Sequence, residues 1–369
     1  MRIALYHNLP PGGALRYVRD FVARSSLEHD YTEFRPSYVE RDWALRPLTN
    51  AVSVAKEERR VAAEIDAAQF DVAFVHGCRV MQAPGLLSQL NTPSLYFAAE
   101  PRRRNSEPGY RPGSKDRSGL AALAWAPGRA AYDAVLGRRD RRAVADATTL
   151  ACNSKFTAAN VARVYGREAT VCYPGVDTGH FRPSSDGVAS RSHFLTVGAL
   201  DPSKGHDLAI DAVARLRQGD RLPLVIVGSR TDDAMAEALQ QQARTSGIEL
   251  VLRTSATEDE LVDLYRNAAA TLCMAHLEPF GLTVHESVAC GTPVVAVREG
   301  GFRETVVDGV NGITATRDAG AVAEAITQLA ERGLASDPWG LHATVLPWQW
   351  DATVRRLHEL LTATAERTR

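Results

Sequence analysis

No segment of this chain approaches the roughly 18 consecutive apolar residues needed to span a bilayer. Net charge is almost absent, at −1, which argues against a nucleic-acid binder working through a basic surface. Cysteine is sparse: Cys78, Cys152, Cys172, Cys273 and Cys290, none in a Cys-x-x-Cys pair, read as buried free thiols of a reducing compartment. No Gly-x-Gly-x-x-Gly fingerprint follows the first strand, so a dinucleotide site of that type is not indicated. No His, Asp and Glu residues stand at metal-ligand spacing, so no metal and no other cofactor is expected. The start of the chain, Met1 to His7, has too short an apolar run for a signal peptide and reads as a strand. Together these absences predict a cytoplasmic protein with at most peripheral contact at the inner face of a membrane.

What remains is 369 residues of ordinary globular composition, 45% hydrophobic and 24% charged, enough for two domains. Short β-branched runs alternate with amphipathic stretches, which predicts α/β architecture: two Rossmann-like, doubly wound domains. Ile3 to Tyr6 reads as a buried strand, followed by Gly12 and Gly13 and a helix from Ala14. Asp71 to Val75 is a strand that delivers His76 to its carboxyl end, where open α/β sheets bind ligands. Ser94 to Phe97 similarly delivers Glu100, followed by Arg102 and Arg103; these arginines suit either an anionic acceptor or a solvated face. Residues 119–145 read as helix broken at Pro127-Gly128. Ser154 is placed to cap the helix from Lys155. The Ser-, Pro- and Gly-rich stretch 178–192 reads as a linker between domains 1–177 and 193–347, with a final helix in 348–369.

The second half turns on Leu277 to Pro293. It reads as loop, helix and strand, with Pro279 and Gly281 at the helix start and Gly291 at its end. Such a helix start, here Phe280, Gly281, Leu282 and Thr283, offers backbone N–H groups and a positive dipole end to a phosphate. Glu278 and Glu286 flank it as acceptors for hydroxyl groups. Lys204 lies at another strand-to-helix turn, where an ammonium meets phosphate oxygens. Gly198 and Gly228 end two more strands and allow close approach of a ligand. Thr257 and Glu260 form a capping-box pattern.

Glu278 and Glu286, followed by Ala289-Cys290-Gly291-Thr292-Pro293, resemble the Glu-x7-Glu signature of retaining glycosyltransferases of family 4. Glu299-Gly300-Gly301 and Asp308 to Gly312 continue the pattern. The resemblance implies a GT-B fold: two Rossmann-like domains facing a cleft, the last helix crossing back to the first. It implies a hexosyltransferase of glycan biosynthesis that moves a sugar from a UDP- or GDP-sugar to a hydroxyl acceptor, be it a glycan, a lipid-linked glycan or a small natural product. Lys204, Glu278 and Glu100 would be catalytic. Gly12, Gly13, Gly198, Gly228, Arg253, Phe280, Gly281, Leu282, Thr283 and Glu286 would hold the donor, and His76, Arg102 and Arg103 the acceptor. Relatives carry His where Ala99 stands and Arg where Ala199 stands, which puts the phosphate charge on Lys204 or on a substitute, Arg303 or Arg230. The alternative is a non-catalytic nucleotide-sugar-binding protein on the same scaffold.

Overall fold

The computed structural model describes the chain except residues 11, 38–45, 79–80, 104–106, 108–119, 186–189, 229–232 and 368–369, and only the backbone at 46–51 and 120–131. Two compact units emerge: Met1–Tyr173 with Thr353–Arg369, and Pro174–Ala352. Each is built on its own six-stranded parallel sheet.

The first unit contains β1 (Arg2–Asn8), β2 (Asp30–Phe34), β3 (Val72–Cys78), β4 (Ser94–Ala98), β5 (Thr149–Cys152) and β6 (Thr170–Val171), in the order β2-β1-β3-β4-β5-β6. The second contains β7 (His193–Val197), β8 (Leu224–Val227), β9 (Leu250–Arg253), β10 (Ala268–Cys273), β11 (Val294–Val297) and β12 (Gly312–Ala315), in the order β12-β11-β10-β7-β8-β9. Parallel strands covered on both faces need apolar side chains on both, which is why Val294–Val297 is an unbroken aliphatic run and wholly buried. The winding direction reverses between β1 and β3 in one sheet and between β7 and β10 in the other. At such a reversal the flanking loops part and leave a crevice at the carboxyl ends of the strands.

Local signals operate as the residues dictate. Ser154 accepts a hydrogen bond from the Thr157 amide at 2.9 Å. Thr257 and Glu260 close a reciprocal capping box, at 3.2 and 2.7 Å. The helix Leu120–Asp146 runs through Pro127-Gly128 without the expected break; an internal proline removes one backbone hydrogen bond, and the helix continues on both sides of it.

The contact boundary between the units falls at Tyr173–Pro174, ahead of the stretch 178–192. The end of that stretch is fastened to the second unit by Arg191. Its guanidinium donates to Ala268 O, Thr292 Oγ1, Gly291 O and Ala335 O, at 2.7–3.0 Å. The last helix, Trp350–Glu366, starts in the second unit and packs from Thr353 onward with the first. There Thr353 donates to Tyr173 O at 2.8 Å, and Thr364 meets Thr149 at 2.9 Å. Trp350 is buried against Gly175, where a Cβ would stand 2.6 Å from the Trp350 backbone. Among the described residues, no helix is long and apolar enough to cross a membrane.

Candidate functional site

The second unit concentrates its polar groups at the β7/β10 reversal. Behind β7 the chain makes a short 3-10 turn, Pro202–Lys204, capped by Asp201, which accepts from the Ser203 amide at 2.9 Å. Gly205 ends the turn in the left-handed region, and a Cβ there would lie 2.2 Å from Met274 O. The turn is thereby pressed onto the segment leaving β10, and Lys204 is delivered to Glu278. Lys204 Nζ and Glu278 Oε2 are 2.7 Å apart. Their side chains keep 30% and 21% of their exposure, so the pair is reachable by a solute.

Four residues past Glu278 the helix Leu282–Ala289 begins. Its N-cap is Gly281, at φ 96°, and no side chain caps it. A Cβ at Gly281 would lie 2.6 Å from the Phe302 ring, so glycine is required by backbone and by space. An uncapped start leaves the first N–H groups to a ligand or water. Leu282 and Thr283 are half-buried there. Phe280 is buried, stacked on His285 at 5.0 Å and 11°, with Trp348 tilted against both. Its ring is a core anchor, so only its backbone is left for a ligand. Burial pushes the His285 imidazole down to about 3, so it is neutral.

Glu286 lies inside. It is 3% exposed, and Tyr265 OH donates to its Oε2 at 2.9 Å. The two carboxylates expected to flank the helix start thus differ in setting. Glu278 is part-exposed and ion-paired, whereas Glu286, facing Tyr265 of the helix Glu258–Asn267, is enclosed.

A second clamp holds the Glu278 loop from the β11 side. Glu299 accepts from the His276 ring at 2.8 Å and from Arg317 at 3.1 and 3.2 Å, while Arg317 also donates to Met274 O at 2.7 Å. Burial would raise the Glu299 carboxyl, but the bond from His276 and the Arg317 guanidinium outweigh it and hold it below its ordinary value. Gly300 and Gly301 lie flat on the loop. Added Cβ atoms would stand 2.4 Å from Glu278 O and 2.5 Å from Pro279 O. The Gly301 amide donates to Glu278 O at 2.7 Å. Tyr265, His276, Glu299 and Arg317 escaped the residue-level reading. The Glu299-Gly300-Gly301 run was a visible signal, but its job as a brace for Glu278 shows only in three dimensions.

The other expected donor residues end neighbouring strands of the same sheet. Gly198 follows β7, with its amide bonded to Val227 O; Gly228 follows β8, with its amide bonded to Arg253 O. Gly228 packs against Leu200, and Arg253 closes β9 with its side chain exposed. Arg303 is exposed on the helix Phe302–Thr305, and Arg230 falls outside the described residues.

The remaining expected residues belong to the first unit. Gly12 caps the helix Gly13–Ser25 at φ 146° with open space around it, and Gly13 is exposed. His76 is buried, stacked on Phe97 at 5.1 Å with Phe74 at its edge, and burial pushes it down to about 3. Glu100 is ion-paired with Arg103 at 2.7 Å, and Arg102 with Asp133 at 2.9 Å. The arginines expected to receive an anionic acceptor are thus each engaged by a carboxylate.

The fold these two sheets define is GT-B. Sucrose-phosphate synthase from Thermosynechococcus elongatus superposes with a TM-score of 0.74 over 97% of this chain and 98% of its own, at 19% identity. Anabaena HepE in complex with UDP-glucose superposes with a TM-score of 0.69 over 98% and 100%, at 18% identity. Residues 182–339, within the second unit, match the family described as Glycosyl transferases group 1. The D-inositol 3-phosphate glycosyltransferase of Acidothermus cellulolyticus is 35% identical over 242 residues, 60% of this chain and 54% of that protein. The enzyme of the same name from Geodermatophilus obscurus is 35% identical over 250 residues, 62% and 55%. The chain spans about half the length of the curated relatives it matches.

Proposed function

We propose that this protein is a glycosyltransferase that moves a sugar from a nucleoside diphosphate to a hydroxyl acceptor, with retention at the anomeric carbon. The observation that carries it is the accessible Lys204–Glu278 pair at 2.7 Å, set at the β7/β10 reversal just ahead of an uncapped helix start. An arriving diphosphate competes for the Lys204 ammonium with more charge than one carboxylate brings. Lys204 then stabilises the charge growing on the leaving phosphate, and the N–H groups from Gly281 to Thr283 take phosphate oxygens. Glu278, released, accepts from sugar hydroxyls and fixes the ring. Glu286, oriented by Tyr265, takes the ribose hydroxyls, with Gly228 and Arg253 beside the base. The departing phosphate oxygen takes the acceptor proton on the front face, which requires no protein base and no metal, and tolerates Ala99. Glu100 stays the acceptor-side carboxylate of this scheme.

The donor carries UDP or GDP. UDP-glucose is held by a protein of the same fold, and the names of the curated relatives make D-inositol 3-phosphate a first acceptor to try. The test is incubation of the full chain with UDP- and GDP-sugars, with and without that acceptor and simple glycans. Acceptor-dependent release of the nucleoside diphosphate and a product whose anomeric coupling matches the donor are expected. An inverted product removes the retaining mechanism. Release that Lys204→Ala leaves unchanged removes the site.

A further inference from the structure

Away from the strand-end loops, the first unit gathers three metal-competent side chains. Glu28 and His29 lie in the turn between the helix Gly13–Ser25 and β2, and His358 lies on the helix Trp350–Glu366. One ligand atom from each falls within 4.8 Å of the others. His358 Nδ1 is 3.3 Å from Glu28 Oε2, and the rings of His29 and His358 are 4.3 Å apart, edge to face. His358 Nε2 meets Ser25 Oγ at 2.5 Å, and Ser25 Oγ meets Tyr31 OH at 2.6 Å. His29 Nδ1 faces the Met1 amino nitrogen at 3.5 Å, and His29 Nε2 is buried without a hydrogen-bond partner.

A proton between His358 Nδ1 and Glu28 would satisfy those two groups alone and leave the His29 nitrogen stranded. A cation engages all three. Two imidazoles and a carboxylate suit a borderline divalent ion. With bonds of ~2.0–2.1 Å, the edge of a zinc tetrahedron is about 3.4 Å, close to the His358–Glu28 separation. The Ser25–Tyr31 pair supplies the outer hydrogen bond that orients a metal-binding histidine ring. We propose that Glu28, His29 and His358 form a binding site for a divalent transition cation of the zinc type. The ion would staple the last helix to the turn before β2, with water completing its coordination. No spacing in the sequence reveals this, because the ligands come from opposite ends of the chain.

The experiment is calorimetric titration of the chelator-treated protein with zinc sulfate, beside His29→Gln, His358→Gln, Glu28→Gln and Ser25→Ala. One equivalent is expected to bind the native protein. Binding should vanish in either histidine variant, weaken in Glu28→Gln, and fall about 10–100-fold in Ser25→Ala. Zinc should raise the melting temperature of the native protein and not of His29→Gln. Glu28 is exposed, so its variant keeps the fold and decides the matter should His358→Gln not fold. Absence of stoichiometric binding, or equal binding in Glu28→Gln and His29→Gln, would overturn the proposal.

Discussion

At the reversal of winding in each sheet, the two units place different chemistry. In the second, backbone presses on backbone: the turns at Gly205 and Gly300 admit no side chain, and a reachable lysine–glutamate pair is held in the gap. In the first, Gly12 has open space around it, and the nearest strand end carries a neutral histidine closed in by Phe74 and Phe97. One scaffold thus supports a rigid, charged, accessible corner and a buried aromatic one. Rigidity fits the proposed donor site, because preorganised donors act without reorganising during the reaction. The contrast predicts that small changes in the second unit will be felt in turnover, and equivalent changes in the first mainly in stability.

The largest effect should come from Lys204→Ala. Losing one electrostatic donor of this kind is expected to cut turnover by about 10²–10³, or ~2.7–4 kcal/mol of barrier. Stability should hold, since the pair is part-exposed and such pairs contribute about 1 kcal/mol or less. Steady-state kinetics with a urea melt decides; a kcat within about threefold of wild type breaks the contrast. Next comes Gly281→Ala. It forces a left-handed residue and a Cβ into the Phe302 ring, and should cost about 2–3 kcal/mol by the same melt, with turnover lost in step. Gly12→Ala, with open space but an equally glycine-favouring φ, should cost about 1 kcal/mol. Equal losses at both positions would erase the difference between the corners. Smaller again is Tyr265→Phe, which removes one hydrogen bond to the enclosed Glu286 carboxylate. It should cost about 0.5–1 kcal/mol of stability and raise the donor KM more than it lowers kcat.

Much of the second unit was legible from sequence because backbone constraints write themselves as glycine and proline. Pro279, Gly281 and Gly291 marked the helix, and Thr257 with Glu260 marked its neighbour's start. What stayed hidden was the facing of side chains. A seven-residue spacing puts Glu286 and Glu278 near one helix start, but does not say that one faces Tyr265 in the core and the other faces Lys204. The first unit was less legible. Glu100, Arg102 and Arg103 read as ligands for an acceptor because arginine and glutamate are chemically suited to it; the Glu100–Arg103 pair is local, but the pairing of Arg102 with Asp133 is long-range geometry. His76 at a strand end was equally ambiguous, since position on a strand fixes the face and not what covers it.

The units should also part in their response to pH. In the second, burial lowers His193, His206 and His285, and the partners of Glu299 lower it too. Each such group contributes stability above its unfolded pKa that is lost as pH falls towards the folded one. All slopes there point the same way. The first unit has His7, His29 and His76 acting likewise, but burial pushes the Glu58 carboxyl up to about 8 and raises Asp140. Glu58 lies under Tyr6 OH and the Gly85 amide, at 3.2 and 3.1 Å. Between its ordinary 4.5 and about 8 the unfolded chain gives up a proton that the folded unit keeps, so this contribution is whole below 4.5 and lost as pH rises through 8. Hydrogen exchange resolved by unit should therefore show protection in the second unit falling from pH 7 to pH 5, with the first unit flatter. Glu58→Gln, which mimics the protonated carboxyl, should stabilise the protein by about 1 kcal/mol at pH 8 and by nothing at pH 4.5, within the ~1.4 kcal/mol per pH unit available to one group. Urea melts at the two pH values check this; a variant equally or less stable at pH 8 would show that the buried carboxyl is ionised in the folded unit.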